Sequence, residues 1–191
     1  MITVGIDEVG RGCWAGPLVA GAVILREPIV GLRDSKKLSK KKRESLTIEI
    51  YEKAYVGLGW VRPDEVDALG LTKAVQLAML RAMKVLHEQV DAYDEIIIDG
   101  NHNFFANVQG FKTENISTLI RADDLVPAVS AASIAAKVAR DNYMAEIAVE
   151  YPGYKFEVNV GYGTAAHQAA LKLHGVTGLH RKSYKPVQAM L

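Results

Sequence analysis

The chain has 191 residues, of which 49% are hydrophobic and 24% are charged, so it can bury one sizeable core and is not a disordered polypeptide. Its single cysteine, Cys13, excludes a disulfide framework and a zinc site built from several thiolates. No apolar run approaches the ~20 residues of a membrane span, and Asp7 comes too early for a signal peptide, so we expect a cytoplasmic protein without membrane contact.

The net charge of +1 conceals an uneven distribution of charge along the chain. Residues 31–44 hold seven basic and two acidic side chains, and residues 158–191 hold four basic side chains and no acidic one. The remainder of the chain is therefore acidic. This distribution fits a basic rim that binds a polyanion around a carboxylate-rich centre, and it fits equally well a helix coated with solvated lysines.

Three strands are predicted in the first third of the chain. Alternating apolar residues predict a strand over residues 2–6 that ends at Asp7 and Glu8. A glycine-rich turn separates this strand from an apolar run over residues 18–25, which predicts the second strand. Residues 54–61 have the composition of a third strand.

Helices separate the later strands. Ser39 is a suitable N-cap for a helix over residues 40–53, and an apolar stripe predicts a long helix over residues 71–89. Short apolar runs predict strands over residues 95–99 and 116–122.

The last third of the chain is predicted to be mainly helical. Pro127 suits the first turn of an alanine-rich helix that continues to about Glu150, and residues 164–173 form a final predicted helix before a basic, irregular tail. Consecutive strands followed by strand–helix alternation indicate an α/β domain with a mixed sheet.

Acidic residues recur where the predicted strands end. Asp7 and Glu8 follow the first strand, Asp99 follows the fourth, and Asp123 precedes the alanine-rich helix. Ligand sites in α/β sheets lie beyond the carboxyl ends of the strands, and gathered carboxylates need a cation to offset their repulsion. Oxygen ligands favour Mg²⁺ or Mn²⁺, and two such ions can hydrolyse a phosphodiester. Any one of these acids alone is more often an ordinary turn former, but the set beside a glycine-rich turn favours a metal site.

The glycine-rich turn has an alternative interpretation. Gly10, Gly12 and Ala15 satisfy the relaxed dinucleotide-binding pattern G-x-G-x-x-G/A. That pattern requires a helix immediately after it, whereas here a strand is predicted, so we reject this interpretation. A turn without bulky side chains that carries only Arg11 can instead approach a sugar or a phosphate closely.

Six segments together resemble the ribonuclease HII family, in order and in spacing, over nearly the whole chain. They are GIDEVGRG (5–12), DSKKLS (34–39), IIIDG (96–100), RADDLVPAVSAASIAAKVARD (121–141), GYGT (161–164) and HRKSY (180–184). The resemblance implies a ribonuclease H-like fold in a single domain over residues 1–191, with a mixed five-stranded sheet flanked by helices. Residues 151–191 would add a C-terminal helix and a basic tail that complete the substrate cleft.

The activity implied by the resemblance is endonucleolytic. The enzyme would act, as a monomer, on RNA–DNA hybrids and on duplex DNA that contains ribonucleotides, and it would leave 3′-hydroxyl and 5′-phosphate ends. Two Mn²⁺ or Mg²⁺ ions would be the cofactors. Residue by residue, the family's four metal-binding carboxylates fall on Asp7, Glu8, Asp99 and Asp123.

The resemblance also assigns substrate contacts. Gly10, Arg11 and Gly12 fall on the turn that recognises the ribonucleotide 2′-hydroxyl, and Tyr162 falls on the tyrosine that packs against the sugar at the scissile junction. Contacts to the rest of the substrate, chiefly its phosphates, are expected from the basic loop segments, at Ser35, Lys36, Lys37, Arg181 and Lys182.

Some alternatives remain at the level of sequence. Where the family usually has Lys-Gly-Asp, this chain has Arg-Ala-Asp followed by Asp124, so position favours Asp123 and leaves Asp124 as the alternative ligand. His167 and His174 are about 10 Å apart along one helix, too far to share a metal, and His102 has the features of a solvated loop residue. A junction resolvase or transposase-type core would share the carboxylates without needing the glycine turn, and a non-catalytic hybrid-binding module would bind without cleaving.

Overall fold

The computed structural model describes residues 1–191 as a mixed five-stranded sheet flanked by helices, which confirms the predicted fold class. The strands are β1 (Thr3–Val9), β2 (Leu18–Leu25), β3 (Ala54–Val61), β4 (Glu95–Asp99) and β5 (Ile116–Leu119). The helices are α1 (Lys40–Lys53), α2 (Pro63–Leu69), α3 (Leu71–His87), α4 (Ala122–Leu125), α5 (Pro127–Ile147), α6 (Phe156–Asn159), α7 (Ala165–His174) and α8 (Lys185–Gln188). None of the helices combines the length and the apolar composition that crossing a bilayer requires.

The first strand lies at the centre of the sheet. The strand order is β3-β2-β1-β4-β5, with β1 antiparallel to β2, β2 antiparallel to β3, and both β1–β4 and β4–β5 parallel. In the β1–β4 pair, Ile6 lies opposite Ile98. The carboxyl ends of β1 and β4 therefore meet at one edge of the sheet.

One face of the sheet packs against α3. Val4 and Ile6 of β1 and Ile98 of β4 belong to an apolar cluster of 19 buried residues on this face. Gly57 and Gly59 of β3 allow the α3 backbone to come close, since a Cβ on Gly59 would lie 1.9 Å from the carbonyl oxygen of Ala78. We call this surface of the sheet the α3 face.

The opposite surface, which we call the α5 face, packs against the alanine-rich helix. A Cβ on Gly5 of β1 would lie 2.1 Å from the backbone of Ala128, and one on Gly21 of β2 would lie 2.5 Å from the carbonyl oxygen of Ala132. Because side chains alternate along a strand, Gly5 and Asp7 lie on this face, whereas Val4 and Ile6 lie on the other.

The C-terminal region packs against the end of α5. Met144 of α5, Phe156 of α6 and Leu171 of α7 belong to a third buried apolar cluster. The tail also pairs with the turn after β1, because the Arg181 N–H donates to the Trp14 carbonyl at 2.7 Å. The last part of the chain is thereby held against the first glycine-rich turn.

Several element boundaries differ from the predictions. β1 continues to Val9, so Asp7 and Glu8 lie inside the strand rather than after it. β5 ends at Leu119, α3 at His87 and α5 at Ile147, each a few residues earlier than predicted. Helices α2, α4, α6 and α8 were not predicted because each is seven residues or shorter and carries little periodic signal.

Candidate active site

Asp7 and Asp99 lie side by side on neighbouring parallel strands. The pairing of Ile6 with Ile98 makes Asp7 and Asp99 the next residues in register, on strands about 4.8 Å apart. Alternation places both of them on the α5 face. Glu8, the next residue of β1, lies on the opposite side of the strand, so Asp7 and Glu8 do not share a face.

Asp7 is buried beneath α5. It is 6% exposed, and its Oδ1 accepts a hydrogen bond from the Glu8 N–H at 2.7 Å. Burial raises its pKa well above the ordinary value, and the charges of Glu8 and Asp99 add to the effect, while the Ser133 hydroxyl opposes it. The ionised form of Asp7 is therefore costly unless a positive charge approaches.

Ser35 lies behind this aspartate rather than at the surface. Its hydroxyl is buried and lies 3.0 Å from the Ser133 hydroxyl of α5. The expectation that the Ser35 side chain contacts substrate is wrong, since its only partner is another buried side chain. The two serines connect the loop before α1 to the helix that covers Asp7.

Glu8 carries an unpaired oxygen. Its Oε1 accepts a hydrogen bond from Arg11 at 3.0 Å, while its buried Oε2 has no hydrogen-bond partner. Burial raises the pKa of Glu8, and the charge of Arg11 opposes that shift. A buried acceptor without a donor is uncommon and costs free energy, which indicates a place for a cation or another missing partner.

Asp99 and Asp123 are brought together by the start of α4. The Oδ1 of Asp99 accepts a hydrogen bond from the Ala122 N–H at 2.7 Å, and Asp123 is 5% exposed. Burial, followed by the charges of Asp99 and Asp34, raises the pKa of Asp123 to about 6. Asp34 was not singled out from the sequence. The only signal was its place at the head of the DSKKLS segment, where its carboxylate caps the Lys36 N–H at 2.9 Å.

Asp124 faces away from this group. Its Oδ2 lies 2.6 Å from the Lys37 ammonium, and that hydrogen bond lowers the pKa of Asp124. Of the two adjacent aspartates, Asp123 is the one whose charge interacts with Asp99. Lys37 is correspondingly engaged by a carboxylate, whereas the ammonium of Lys36 is exposed and unpaired.

The acidic residues fit a divalent cation in chemistry but not as a ready-made cage. No group of three or more His, Cys, Asp or Glu side chains is arranged closely enough to enclose an ion. The unpaired Glu8 oxygen and the raised pKa values of Asp7 and Asp123 are nevertheless features that a bound cation relieves. An all-oxygen set favours Mg²⁺ or Mn²⁺ over zinc.

The turn over Gly10, Arg11 and Gly12 is tied down from the C-terminal tail. Gly10 has φ of +91°, a conformation that favours glycine, and its carbonyl accepts a hydrogen bond from Arg181 at 2.6 Å. Arg181 is fully buried, and desolvation lowers the pKa of its guanidinium. The expectation that Arg181 binds phosphate is therefore wrong. The ammonium of Lys182 remains exposed.

Tyr162 stands beside this turn. It is 41% exposed, and its loop is joined to the turn by a hydrogen bond from the Trp14 N–H to the Gly161 carbonyl at 2.8 Å. The buried part of the ring raises the pKa of Tyr162, and the neighbouring Cys13 adds to the shift. The Tyr162 ring is therefore accessible from solvent, while the hydrogen bond at Gly161 holds the backbone of its loop in place.

A buried histidine pair, missed by the sequence analysis, fixes that backbone. The Nδ1 of His167 donates to the Tyr162 carbonyl at 2.9 Å, and its Nε2 lies 3.0 Å from the Nε2 of His180. The Nδ1 of His180 accepts from the Thr177 N–H at 3.0 Å, so His180 donates through Nε2 and both rings are neutral. Burial lowers both pKa values, that of His180 to about 4. The presence of these histidines in and near two family-like segments was the only available signal.

Two surface cavities lie away from the acidic residues of the site and the glycine turn. A cavity of about 420 Å³ is lined by His87 and Phe111, and one of about 470 Å³ is lined by Trp60 and Arg81. Neither includes an acidic residue of the group above or the glycine turn.

The family model described as ribonuclease HII matches residues 4–187. A ribonuclease HII from Dichelobacter nodosus is 46% identical over 190 residues, which cover 98% of this chain and 96% of that protein. The crystal structure of the ribonuclease H2 from Pyrococcus horikoshii aligns with a TM-score of 0.80 at 22% identity, over 100% of this chain and 97% of that chain.

A second solved structure has the same fold. Bst-RNase HIII in complex with Mn²⁺ aligns with a TM-score of 0.79 at 19% identity, over 100% of this chain and 69% of that chain. The family resemblance inferred from the six segments is therefore confirmed, and so is the fold that it implied.

Proposed function

This chain belongs to the ribonuclease HII family and is therefore a ribonuclease H, a metal-dependent endonuclease that cleaves the RNA strand of RNA–DNA hybrids, and we propose that it also cuts at single ribonucleotides embedded in duplex DNA. The products would carry 3′-hydroxyl and 5′-phosphate ends. Residues 1–191 would act as one catalytic domain and as a monomer, with residues 151–191 completing the substrate cleft.

The observation that carries this proposal is the register of β1 against β4. It sets Asp7 beside Asp99 at one edge of the sheet, and α4 adds Asp123 to the same group. Together with Glu8 and its unpaired Oε2, these residues would hold two Mg²⁺ or Mn²⁺ ions. Bound ions of this kind lower the pKa of the attacking water and stabilise the departing 3′-oxygen.

The other residues would select and hold the substrate. The backbone of Gly10, Arg11 and Gly12 would contact the ribose 2′-hydroxyl, the group that distinguishes RNA from DNA. The exposed Tyr162 ring would pack against the neighbouring sugar, while the histidine pair keeps its backbone in place. Lys36 and Lys182, both exposed, would contact phosphates.

The test is the paired substitution of two acids that differ in their contacts. Asp99→Asn keeps an oxygen that can accept from the Ala122 N–H, yet it removes a charge from the proposed metal site. We expect cleavage of a duplex with one internal ribonucleotide to fall by about 10³-fold in Mg²⁺ or Mn²⁺, with duplex binding in EDTA nearly unchanged.

The matched control is Asp124→Asn, because Asp124 pairs with Lys37 instead of approaching Asp99. This variant should retain cleavage within about threefold. Near-normal turnover by Asp99→Asn contradicts the proposed metal site. Equal cleavage of an all-DNA junction would instead support a resolvase-like nuclease, and binding without metal-dependent products would support a non-catalytic module.

A further inference from the structure

Arg181 is a buried cation that has no carboxylate partner. It is 0% exposed, and its hydrogen bonds go to backbone carbonyls and to one tyrosine hydroxyl. Its Nη1 donates to the carbonyl of Gly10 at 2.6 Å and lies 3.1 Å from that of Arg11, while Nε and Nη2 reach the Gly16 carbonyl. Burying a guanidinium is expensive, so these carbonyl dipoles are what stabilise it.

Tyr184 contacts both Arg181 and the turn. Its hydroxyl donates to the Arg11 carbonyl at 2.5 Å and accepts from the Nη1 of Arg181 at 2.9 Å. The guanidinium carbon of Arg181 also lies 5.3 Å from the centre of the Tyr184 ring, a cation–π distance. Arg181 and Tyr184 therefore hold the two consecutive carbonyls of Gly10 and Arg11 from the inside of the molecule.

The inward direction of these carbonyls fixes the direction of two amides. The structure has no cis peptide bond, and in a planar trans peptide the N–H points opposite to the C=O. The peptide that carries the Gly10 carbonyl carries the Arg11 N–H, and the one that carries the Arg11 carbonyl carries the Gly12 N–H. Both amides consequently point away from Arg181, and neither donates a hydrogen bond within the protein.

Gly10 and Gly12 differ in the space that surrounds them. A Cβ on Gly10 would lie 2.5 Å from the Nε of Arg140, so that side of the turn is filled. A Cβ on Gly12 would meet no atom within 4 Å, and Arg11 and Gly12 are both exposed, so a ligand can approach the outer side of the turn. The turn is packed on its inner side and accessible on its outer side.

We propose that Arg181 and Tyr184 are positioning residues that aim the amides of Arg11 and Gly12 at the substrate and so set the preference for a ribonucleotide over a deoxyribonucleotide. This inference rests on the proposed function, in which the turn contacts the 2′-hydroxyl. On this inference, the orientation of the two amides depends on the hydrogen bonds from Arg181 and Tyr184 as well as on the glycines of the turn.

The experiment compares two tyrosine variants. Tyr184→Phe removes the hydroxyl that holds the Arg11 carbonyl, and Tyr154→Phe removes a hydroxyl that donates to the Gly175 carbonyl at 2.7 Å, away from the turn. The first measurement is the ratio of affinities for a duplex with one ribonucleotide and the identical all-DNA duplex, in EDTA. The second is kcat and KM for cleavage of the ribonucleotide-containing duplex.

For Tyr184→Phe we expect the affinity ratio to fall about fivefold and kcat/KM to fall about tenfold, with Tm close to that of Tyr154→Phe. Tyr154→Phe should leave the ratio unchanged. Equal effects of the two variants on the ratio, or no effect of Tyr184→Phe, overturn the inference even if wild-type enzyme prefers the ribonucleotide. If the wild type shows no such preference, the proposed function itself fails.

Discussion

On the α3 face of the sheet, Gly57 and Gly59 bring strand and helix backbones into contact, and on the α5 face Gly5 and Gly21 do the same. The side chains around these contacts differ. The cluster on the α3 face consists of 19 buried apolar residues. The α5 face combines a smaller apolar cluster with buried polar side chains, among them Asp7 and Ser133.

The apolar α3 face and the partly polar α5 face contribute differently to the stability of the fold. An apolar interface contributes free energy in proportion to the area removed from water, whereas a buried carboxylate costs free energy unless a partner or an ion compensates it. The α3 face therefore stabilises the sheet, and the α5 face carries groups whose ionised forms the folded chain disfavours. Disrupting the packing of the α3 face should accordingly lower stability, whereas removing a buried acid from the α5 face should raise it.

The largest expected effect comes from filling the glycine contact on the α3 face. Gly59→Ala places a Cβ 1.9 Å from the Ala78 carbonyl oxygen, a backbone atom that cannot move without shifting α3. We expect the free energy of unfolding to fall by about 3 kcal/mol or more in a urea titration. Gly178→Ala, where a Cβ meets nothing within 4 Å, is the control and should change it by less than about 0.5 kcal/mol. Similar stability of the two variants would mean that the α3 face is not tightly packed.

An intermediate effect is expected from pH, at the histidine pair that joins α7 to the C-terminal tail. The pKa of His180 is lowered from 6.5 to about 4, so the unfolded chain binds a proton there that the folded chain excludes. This contribution to stability is complete above pH 6.5 and is lost as the pH falls towards 4. Between pH 7 and pH 5 it should lower the free energy of unfolding by about 2 kcal/mol.

The variant that isolates this effect is His180→Gln, whose stability should lack that loss. The raised pKa of Asp123 acts in the opposite direction over part of the same range, but it does so in both proteins and cancels from their difference. An NMR titration in which the His180 ring protonates near pH 6.5 in the folded protein would contradict the neutral pair.

The smallest expected effect has the opposite sign. Asp7→Asn removes a buried acid whose pKa is raised by burial and by the charges of Glu8 and Asp99, and the amide oxygen can still accept from the Glu8 N–H. Without divalent metal, the variant should be more stable than wild type by about 1 kcal/mol at pH 8. The exposed Asp91→Asn is the control and should be neutral in the same denaturation assay. A destabilised Asp7→Asn protein would contradict the conclusion that the buried Asp7 carboxylate lowers the stability of the metal-free protein.

Much of the fold could be predicted because local patterns agree with it. The bounds of β2, α1, β3 and β4 are those predicted, and Ser39 caps α1 by accepting from the Lys42 N–H at 3.2 Å. Short helices escaped because a helix such as α2, confined between Arg62 and Gly70, is too brief to show a period.

Residues of the candidate site could be predicted from the sequence only where the strand pattern alone determines their position in the fold. Acids near the ends of parallel strands converge by the geometry of the sheet, so the closeness of Asp7 and Asp99 could be predicted. Arg181 was misjudged because a basic residue in a basic tail is ordinarily exposed, and only the folded chain reveals the carbonyls that surround it. The pairing of His167 with His180, and the approach of Asp34 to Asp123, likewise depend on contacts between distant segments.

The hydrogen bonds from Arg181 and Tyr184 to the turn after β1 join segments that are separated by 171 and 173 residues of sequence. During translation that turn leaves the ribosome long before the residues that hold it. A nascent chain can thus bury the α3 face before it can hold the Arg11 carbonyl in place. Under the proposed roles, a chain interrupted shortly before Arg181 would form the sheet but lose its preference for ribose.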